Sequence, residues 1–233
     1  MKSFVRGVGS VPPSALLEPF GERRWLRMGQ PLLPYDPYNL IITGVGGQGN
    51  VLSSRMVGDM LSQLDFFVTI GETFGASQRG GSVMSHMRVS TESCFSPQIP
   101  KGRAHMIMAL EPIEAIRVLK DYGNPGVNVL CNTRPIHPIG VICGEQAYPS
   151  LEDIREWIAR LANRTWFIDA TEAALKLGNP VFGNIVLVGA LAATGVLPLD
   201  ADTFKEVLQR NVPPDKITVN VTAYNLGANM VRS

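Results

Sequence analysis

The feature that most constrains this sequence is the run Gly44-Val45-Gly46-Gly47-Gln48-Gly49, which lies between a short apolar stretch and a helical one. It fits the GxGxxG spacing, and its flanks give that spacing meaning. Asn39–Thr43 has the character of a buried strand, and residues 50–64 place Val51, Leu52, Met56, Met60, Leu61 and Leu64 at roughly helical intervals. Glycine at such a turn tolerates positive φ and close backbone approach, while the helix start offers unpaired amides and partial positive charge. Four readings stay open from the residues: a phosphate or CoA-type group on those amides, a nicotinamide dinucleotide, an interface loop, or glycines serving only the turn and close helix–sheet packing. A dinucleotide site also calls for an acid at the end of the second strand. Glu72, just after the strand candidate Phe66–Ile70, has that place but opens a second unusual loop.

Downstream, Val83–Val89, His105–Leu110, Val127–Cys131 and Thr165–Ile168 read as further strands. Glu111-Pro112 opens a helix with proline near its first position. Ser150-Leu-Glu-Asp153 is a capping-box-like start to another, whose Leu151, Ile154, Trp157, Ile158 and Leu161 share one face. The small, uncharged stretch 183–195 suits a helix packed closely against the sheet or a partner, and 200–210 reads as a last amphipathic helix with Phe204, Val207 and Leu208 inward. Alternating strands and helices predict an α/β, Rossmann-like, mostly parallel sheet covered on both faces. Residues 1–37 differ: six prolines and the cluster Arg23, Arg24, Arg27 predict an N-terminal extension. A short helix around Ser14–Met28 fits that extension, which is either a tail or an arm laid on a partner by Phe20, Trp25, Leu26 and Arg27. Residues 38–233 form one domain.

Composition narrows the function classes. With 45% hydrophobic and 18% charged residues the chain can build a large core, and a net charge of +1 without charge blocks argues against a nucleic-acid or membrane-surface partner. The three cysteines, Cys94, Cys131 and Cys143, show no CxxC spacing and read as reduced thiols. The three histidines, His86, His105 and His137, lack metal-ligand spacing, so no metal site is expected in this chain. No apolar run reaches the ~18 residues of a membrane span, so the expected compartment is the cytoplasm.

The most distinctive segment is Glu72-Thr-Phe-Gly-Ala-Ser-Gln-Arg-Gly-Gly-Ser82. In a parallel sheet it leaves the same carboxyl edge as the glycine loop, where ligands bind. Arg79 is the candidate anion contact, because guanidinium pairs bidentately with carboxylate and phosphate. The competing role is a salt bridge to Glu72 that holds the loop. Ser77 and Ser82 have no histidine at a triad spacing. His86, in an alternating strand, reads as a structural histidine, and Asp169 or Thr171 as a helix N-cap. Trp25, Phe67, Phe74 and Trp166 are equally core residues and candidates for an aromatic pocket.

Together these residues resemble the γ-type domain of the 2-oxoacid:ferredoxin oxidoreductases. The resemblance rests on the glycine loop, on Glu72-Thr-x-Gly-x-Ser-Gln-Arg-Gly-Gly81, and on Ala109-Leu-Glu-Pro112 with Glu114-Ala115. Later landmarks are Ile168-Asp-Ala-Thr171, Gly178-Asn179, Asn184, Gly189–Ala193 and Arg210-Asn-Val-Pro-Pro214. It covers about residues 38–228, and Ser77–Gly81 is most similar to the indolepyruvate branch. The resemblance implies a small subunit of an enzyme that decarboxylates a 2-oxoacid oxidatively with CoA, giving acyl-CoA and CO2 and passing electrons to ferredoxin. It implies thiamine diphosphate with Mg and [4Fe-4S] clusters on a large partner subunit, and CoA as co-substrate. Glu72 and Arg79 become the candidate catalytic residues. Gly44, Gly46, Gly47, Gln48, Gly49, Thr73, Gln78, Gly80 and Gly81 become the candidate cofactor-binding residues. The alternatives are a stand-alone NAD(P)-binding oxidoreductase and a non-catalytic assembly module.

Overall fold

The computed structural model describes residues 33–74 and 81–232. Its centre is a six-stranded sheet of order β2-β3-β1-β4-β5-β6. β1 (Tyr38–Val45), β4 (Met106–Ala109), β5 (Asn128–Asn132) and β6 (Arg164–Ile168) run parallel. β2 (Phe67–Phe74) and β3 (Ser82–Ser90) form a hairpin whose second strand lies antiparallel to β1, with Tyr38 opposite Val89 and Val45 opposite Ser82. Val83–Val89 is therefore a return strand of a hairpin and follows no helical crossover.

Strand alternation divides the core between two faces. Leu40, Ile42, Met106, Met108, Leu130 and Ile168 meet one helical layer: α1 (Asn50–Gln63), α6 (Gly183–Ala193), α7 (Ala201–Asn211) and α8 (Pro214–Arg232). Ile41, Ile107, Val129 and Cys131 meet the other, α2 (Pro112–Tyr122) and α4 (Leu151–Leu161). Two short helices, α3 (Ile139–Ile142) and α5 (Ala170–Lys176), follow β5 and β6.

The predicted helix starts hold. Glu111 caps α2 by accepting from Glu114 N with Pro112 in the first turn, and Ser150 Oγ accepts from Asp153 N at 3.0 Å. Phe204, Val207 and Leu208 are buried as expected. α7 is not the last helix, however. α8 adds 19 residues whose run Thr218–Thr222, four β-branched residues around Asn220, carries a weak helical signal, overridden by packing on α6. That packing is close: a Cβ on Gly189 would lie 1.9 Å from the Tyr224 carbonyl oxygen, and one on Gly227 would lie 1.7 Å from that of Val186. The small-residue stretch of α6 thus meets the chain's own last helix.

β2 runs four residues beyond the expected end at Ile70, because pairing with β3 carries it through Glu72 and Thr73. As an edge strand it tolerates exposed polar side chains. The expected Ser14–Met28 helix and most of the extension lie outside the described residues. Its final turn is tied down: Leu33 packs on the core, and Asp36 Oδ2 accepts from Thr91 N at 2.9 Å and from Thr91 Oγ1 at 2.5 Å. Among the described residues, no helix is long and apolar enough to cross a membrane.

Candidate functional site

The carboxyl ends of β1, β4, β5 and β6 share one edge, and the β2–β3 hairpin turns at that edge too. The two predicted loops meet there, since Gly46 N donates to Gly81 O at 2.8 Å. The glycine loop is rigidly built. Gly47 has φ +102 and Gly49 has φ +89, the left-handed region where a side chain is strained. Gln48 closes the turn from inside: its Oε1 accepts from Val45 N at 2.7 Å and its Nε2 donates to Leu110 O at 3.0 Å. Gly44 leaves room for that side chain, because a Cβ there would lie 2.7 Å from Gln48 Oε1.

Gly46 N is used on Gly81, and Gln48 N on Val45 O at 3.1 Å. The amides of Gly47 and Gly49 have no acceptor among the described residues. The donors available to a ligand are thus fewer than the motif suggests, and Gln48 is a strut of the loop.

Beside the loop opens a cleft of about 590 Å³. It is lined by Gly47 and Gln48 of the loop, by Leu110 and Asn132, and by Arg134 and His137. The first turn of α6 supplies Asn184, which is 3% exposed, with neither Nδ2 nor Oδ1 partnered among the described residues. A buried carboxamide without hydrogen bonds is costly, and this one lines the cleft against Gly49.

Asn132, absent from the sequence-based candidates, is a hydrogen-bonding hub of the cleft lining. Its Nδ2 donates to Leu110 O and to Thr171 Oγ1, each at 3.0 Å. Its Oδ1 accepts from Ala170 N at 3.1 Å and Thr171 N at 3.4 Å. It therefore caps α5 from a neighbouring strand. Asp169 occupies the N-cap position without a side-chain capping bond and accepts from Thr133 Oγ1 instead. The expected local cap at Asp169 or Thr171 is corrected accordingly. Arg134, which lines the cleft, forms an exposed ion pair with Glu172 at 3.6 Å.

On the α2 side of the edge lie two buried carboxylates. Glu111 Oε1 accepts from Tyr148 Oη at 2.5 Å and Ile136 N at 3.3 Å. Glu114 Oε2 accepts from Ser82 Oγ at 2.5 Å. Burial raises the Glu114 carboxyl above its ordinary range, opposed by the Ser82 bond and Arg117.

Of the sequence candidates, the structure brings together Gly44, Gly46, Gly47, Gln48, Gly49 and Gly81. Glu72 and Thr73 stand on edge strand β2, paired with Ser85 and Met84 and separated from β1 by β3. In a dinucleotide site the acid ends the strand beside β1, and here that neighbour is antiparallel. Gln78, Arg79 and Gly80 lie outside the described residues. His86 is structural, its Nδ1 accepting from Ile99 N at 3.3 Å. Phe67 and Trp166 sit on opposite edge strands and share no pocket. Cys94 and Cys143 are exposed, and Cys131 is buried, its thiol pushed up by burial and by nearby Glu111. Among the described residues no group of three or more His, Cys, Asp or Glu could hold a metal ion.

Fold and cleft define a Rossmann-like domain whose carboxyl edge carries a glycine loop bonded to the start of β3 through Gly46 and Gly81. Residues 39–230 match the family described as pyruvate ferredoxin/flavodoxin oxidoreductase, and the chain belongs to that family. It is 39% identical over 191 residues to indolepyruvate oxidoreductase subunit IorB of Pyrococcus horikoshii, covering 82% of this chain and 94% of that subunit. The γ subunit of a keto/oxoacid ferredoxin oxidoreductase from Geobacter sulfurreducens has the same fold, with TM-score 0.59, 20% identity, and 84% and 98% of the two chains covered. So does part of the 2-oxoglutarate:ferredoxin oxidoreductase of Magnetococcus marinus, solved with 2-oxoglutarate, coenzyme A and succinyl-CoA bound. There the TM-score is 0.67 at 19% identity, covering 85% of this chain and 31% of that one.

Proposed function

We propose that this chain is the small subunit of a thiamine-diphosphate-dependent 2-oxoacid:ferredoxin oxidoreductase of the indolepyruvate or aryl-2-oxoacid type. The observation that carries the reading is the 39% identity along 94% of the length of the indolepyruvate oxidoreductase subunit. The assembled enzyme converts 2-oxoacid, CoA and oxidised ferredoxin to acyl-CoA, CO2 and reduced ferredoxin in the cytoplasm. Thiamine diphosphate and iron–sulfur clusters on the large partner supply the carbanion and electron chemistry. This chain completes the cleft and handles CoA.

The cleft suits that task on its own chemistry. Amides of Gly47 and Gly49 at the start of a 14-residue helix favour an anionic group. Asn184 offers a buried donor and acceptor beside them. Arg79 is assigned to a CoA phosphate or the substrate carboxylate, and Glu72, Thr73, Gln78, Gly80 and Gly81 to shaping the crevice next to the partner's thiamine. The test is Arg79→Ala in the purified complex. The reading expects impaired 2-oxoacid turnover with the complex still assembled, and unchanged CoA and 2-oxoacid kinetics would remove Arg79 from the site.

A further inference from the structure

Glu111 and Glu114 have the spacing of a capping box, in which the second acid ordinarily reaches back to the backbone N–H of the first. Glu111 performs its half, accepting from Glu114 N at 3.0 Å. Glu114 does not turn back. Its carboxylate, 4% exposed, crosses to β3, where Oε2 accepts from Ser82 Oγ at 2.5 Å, while Oε1 meets the exposed Arg117 at 3.2 Å. A second buried carboxylate next to Glu111 is costly to the fold, and it is not the cap of α2, which Glu111 already provides.

Ser82 follows Gly81, whose carbonyl accepts from Gly46 N at 2.8 Å. The next residue, Val83, has its carbonyl held by Asn50 Nδ2 at 2.9 Å and Thr43 Oγ1 at 3.2 Å. The start of β3 is thus gripped from the α1 side by backbone and neutral groups, and from the α2 side by one acid. An unbroken path of contacts runs Glu114, Ser82, Gly81, Gly46 and on to Gly47 in the cleft lining.

We propose that Glu114 is a positioning residue that sets the glycine loop through Ser82 and Gly81, and thereby the seat for the anionic co-substrate; the last step rests on the function proposed above. Glu114 is not part of the cleft lining and acts through Ser82. Removing its carboxylate frees Ser82, lets Gly81 drift from Gly46, and loosens the amides of Gly47 and Gly49, which have no acceptor among the described residues.

The test uses the complex purified through this chain, with Ser82→Ala, Glu114→Ala, the pair together, and Glu114→Gln, whose carboxamide oxygen still accepts from Ser82. Hydrogen–deuterium exchange of the peptide spanning Gly46–Gln48 should quicken about fivefold or more in both alanine variants, with a β4 peptide unchanged and Glu114→Gln near wild type. In the same variants KM for CoA should rise about tenfold with kcat within about twofold, and the double variant should be no worse than either single. Unchanged exchange at the glycine loop, or effects of the two alanines that add, would overturn the positioning role. Wild-type complex without CoA-dependent 2-oxoacid turnover would instead remove the functional reading, with the exchange result still deciding the positioning.

Discussion

Gly49 and Asn184 meet where the glycine loop enters α1, so closely that a Cβ on Gly49 would lie 2.4 Å from Asn184 Nδ2. The φ of +89 requires glycine there, and a Cβ would in addition push the Asn184 carboxamide aside. Gly49→Ala is expected to cost about 1–2 kcal/mol from left-handed strain, with displacement of the Asn184 carboxamide added to it. Urea unfolding measures it, and a loss below ~0.5 kcal/mol would mean that the loop relaxes freely.

Asn184 carries the opposite expectation. Its carboxamide is buried with neither atom partnered among the described residues, so Asn184→Leu removes an unsatisfied polar group and should leave stability unchanged or raise it by about 1 kcal/mol. The same change should raise KM for CoA about tenfold, as expected when a cleft loses a polar contact. Lower stability together with unaltered CoA kinetics would show that Asn184 serves the fold alone.

The α6–α8 crossing admits no Cβ at Gly189 or Gly227, since each would meet a backbone carbonyl oxygen inside 2 Å. Backbone atoms cannot rotate aside, so Gly189→Ala or Gly227→Ala should cost about 3 kcal/mol or more. Soluble yield and thermal unfolding report the loss. Gly144→Ala is the informative comparison, because nothing lies near its Cβ although its φ is +77, and only the backbone strain of about 1–2 kcal/mol applies.

Two histidines set an acid limit. Burial lowers the pKa of His86 and His105, with Arg103 adding to the effect at His105, and each Nδ1 accepts a backbone N–H, from Ile99 and Asn39. The unfolded chain binds their protons first, so stability is full above pH ~6.5 and falls as pH drops from there toward the folded values, by at most about 1.4 kcal/mol per pH unit for each histidine. Glu114 acts in the opposite sense: its raised folded pKa adds stability as pH falls through that value. Denaturant unfolding at several pH values, with His86→Gln as the comparison, isolates the histidine share. An equally steep acid loss in His86→Gln would remove His86 from the account.

The glycine loop and most strands were legible because apolar alternation and turn chemistry are local. The capped starts at Glu111 and Ser150 were legible for the same reason. What escaped depends on partners distant in sequence. Asn132 looks like an ordinary strand end, yet it caps α5 some 38 residues later through Ala170 N. α8 hides behind Thr218–Thr222 until α6 is laid against it. The hairpin direction of β3 cannot be read from Val83–Val89, whose apolar pattern suits either orientation. A cleft does open beside the glycine loop at the carboxyl edge, but the described residues Glu72, Thr73, Gly81 and Ser82 are not among its lining, which is completed by Asn132 and by Asn184 through the packing of α6 on the glycine loop.

The most direct test of the central claim is to purify the native complex through a tag on this chain and assay what accompanies it. The account predicts a large partner carrying thiamine diphosphate and iron, active on aryl-2-oxoacids with CoA and ferredoxin. A chain that purifies alone, without such activity and with tight binding of NADH, would contradict it and leave the fold and the family membership without the proposed activity.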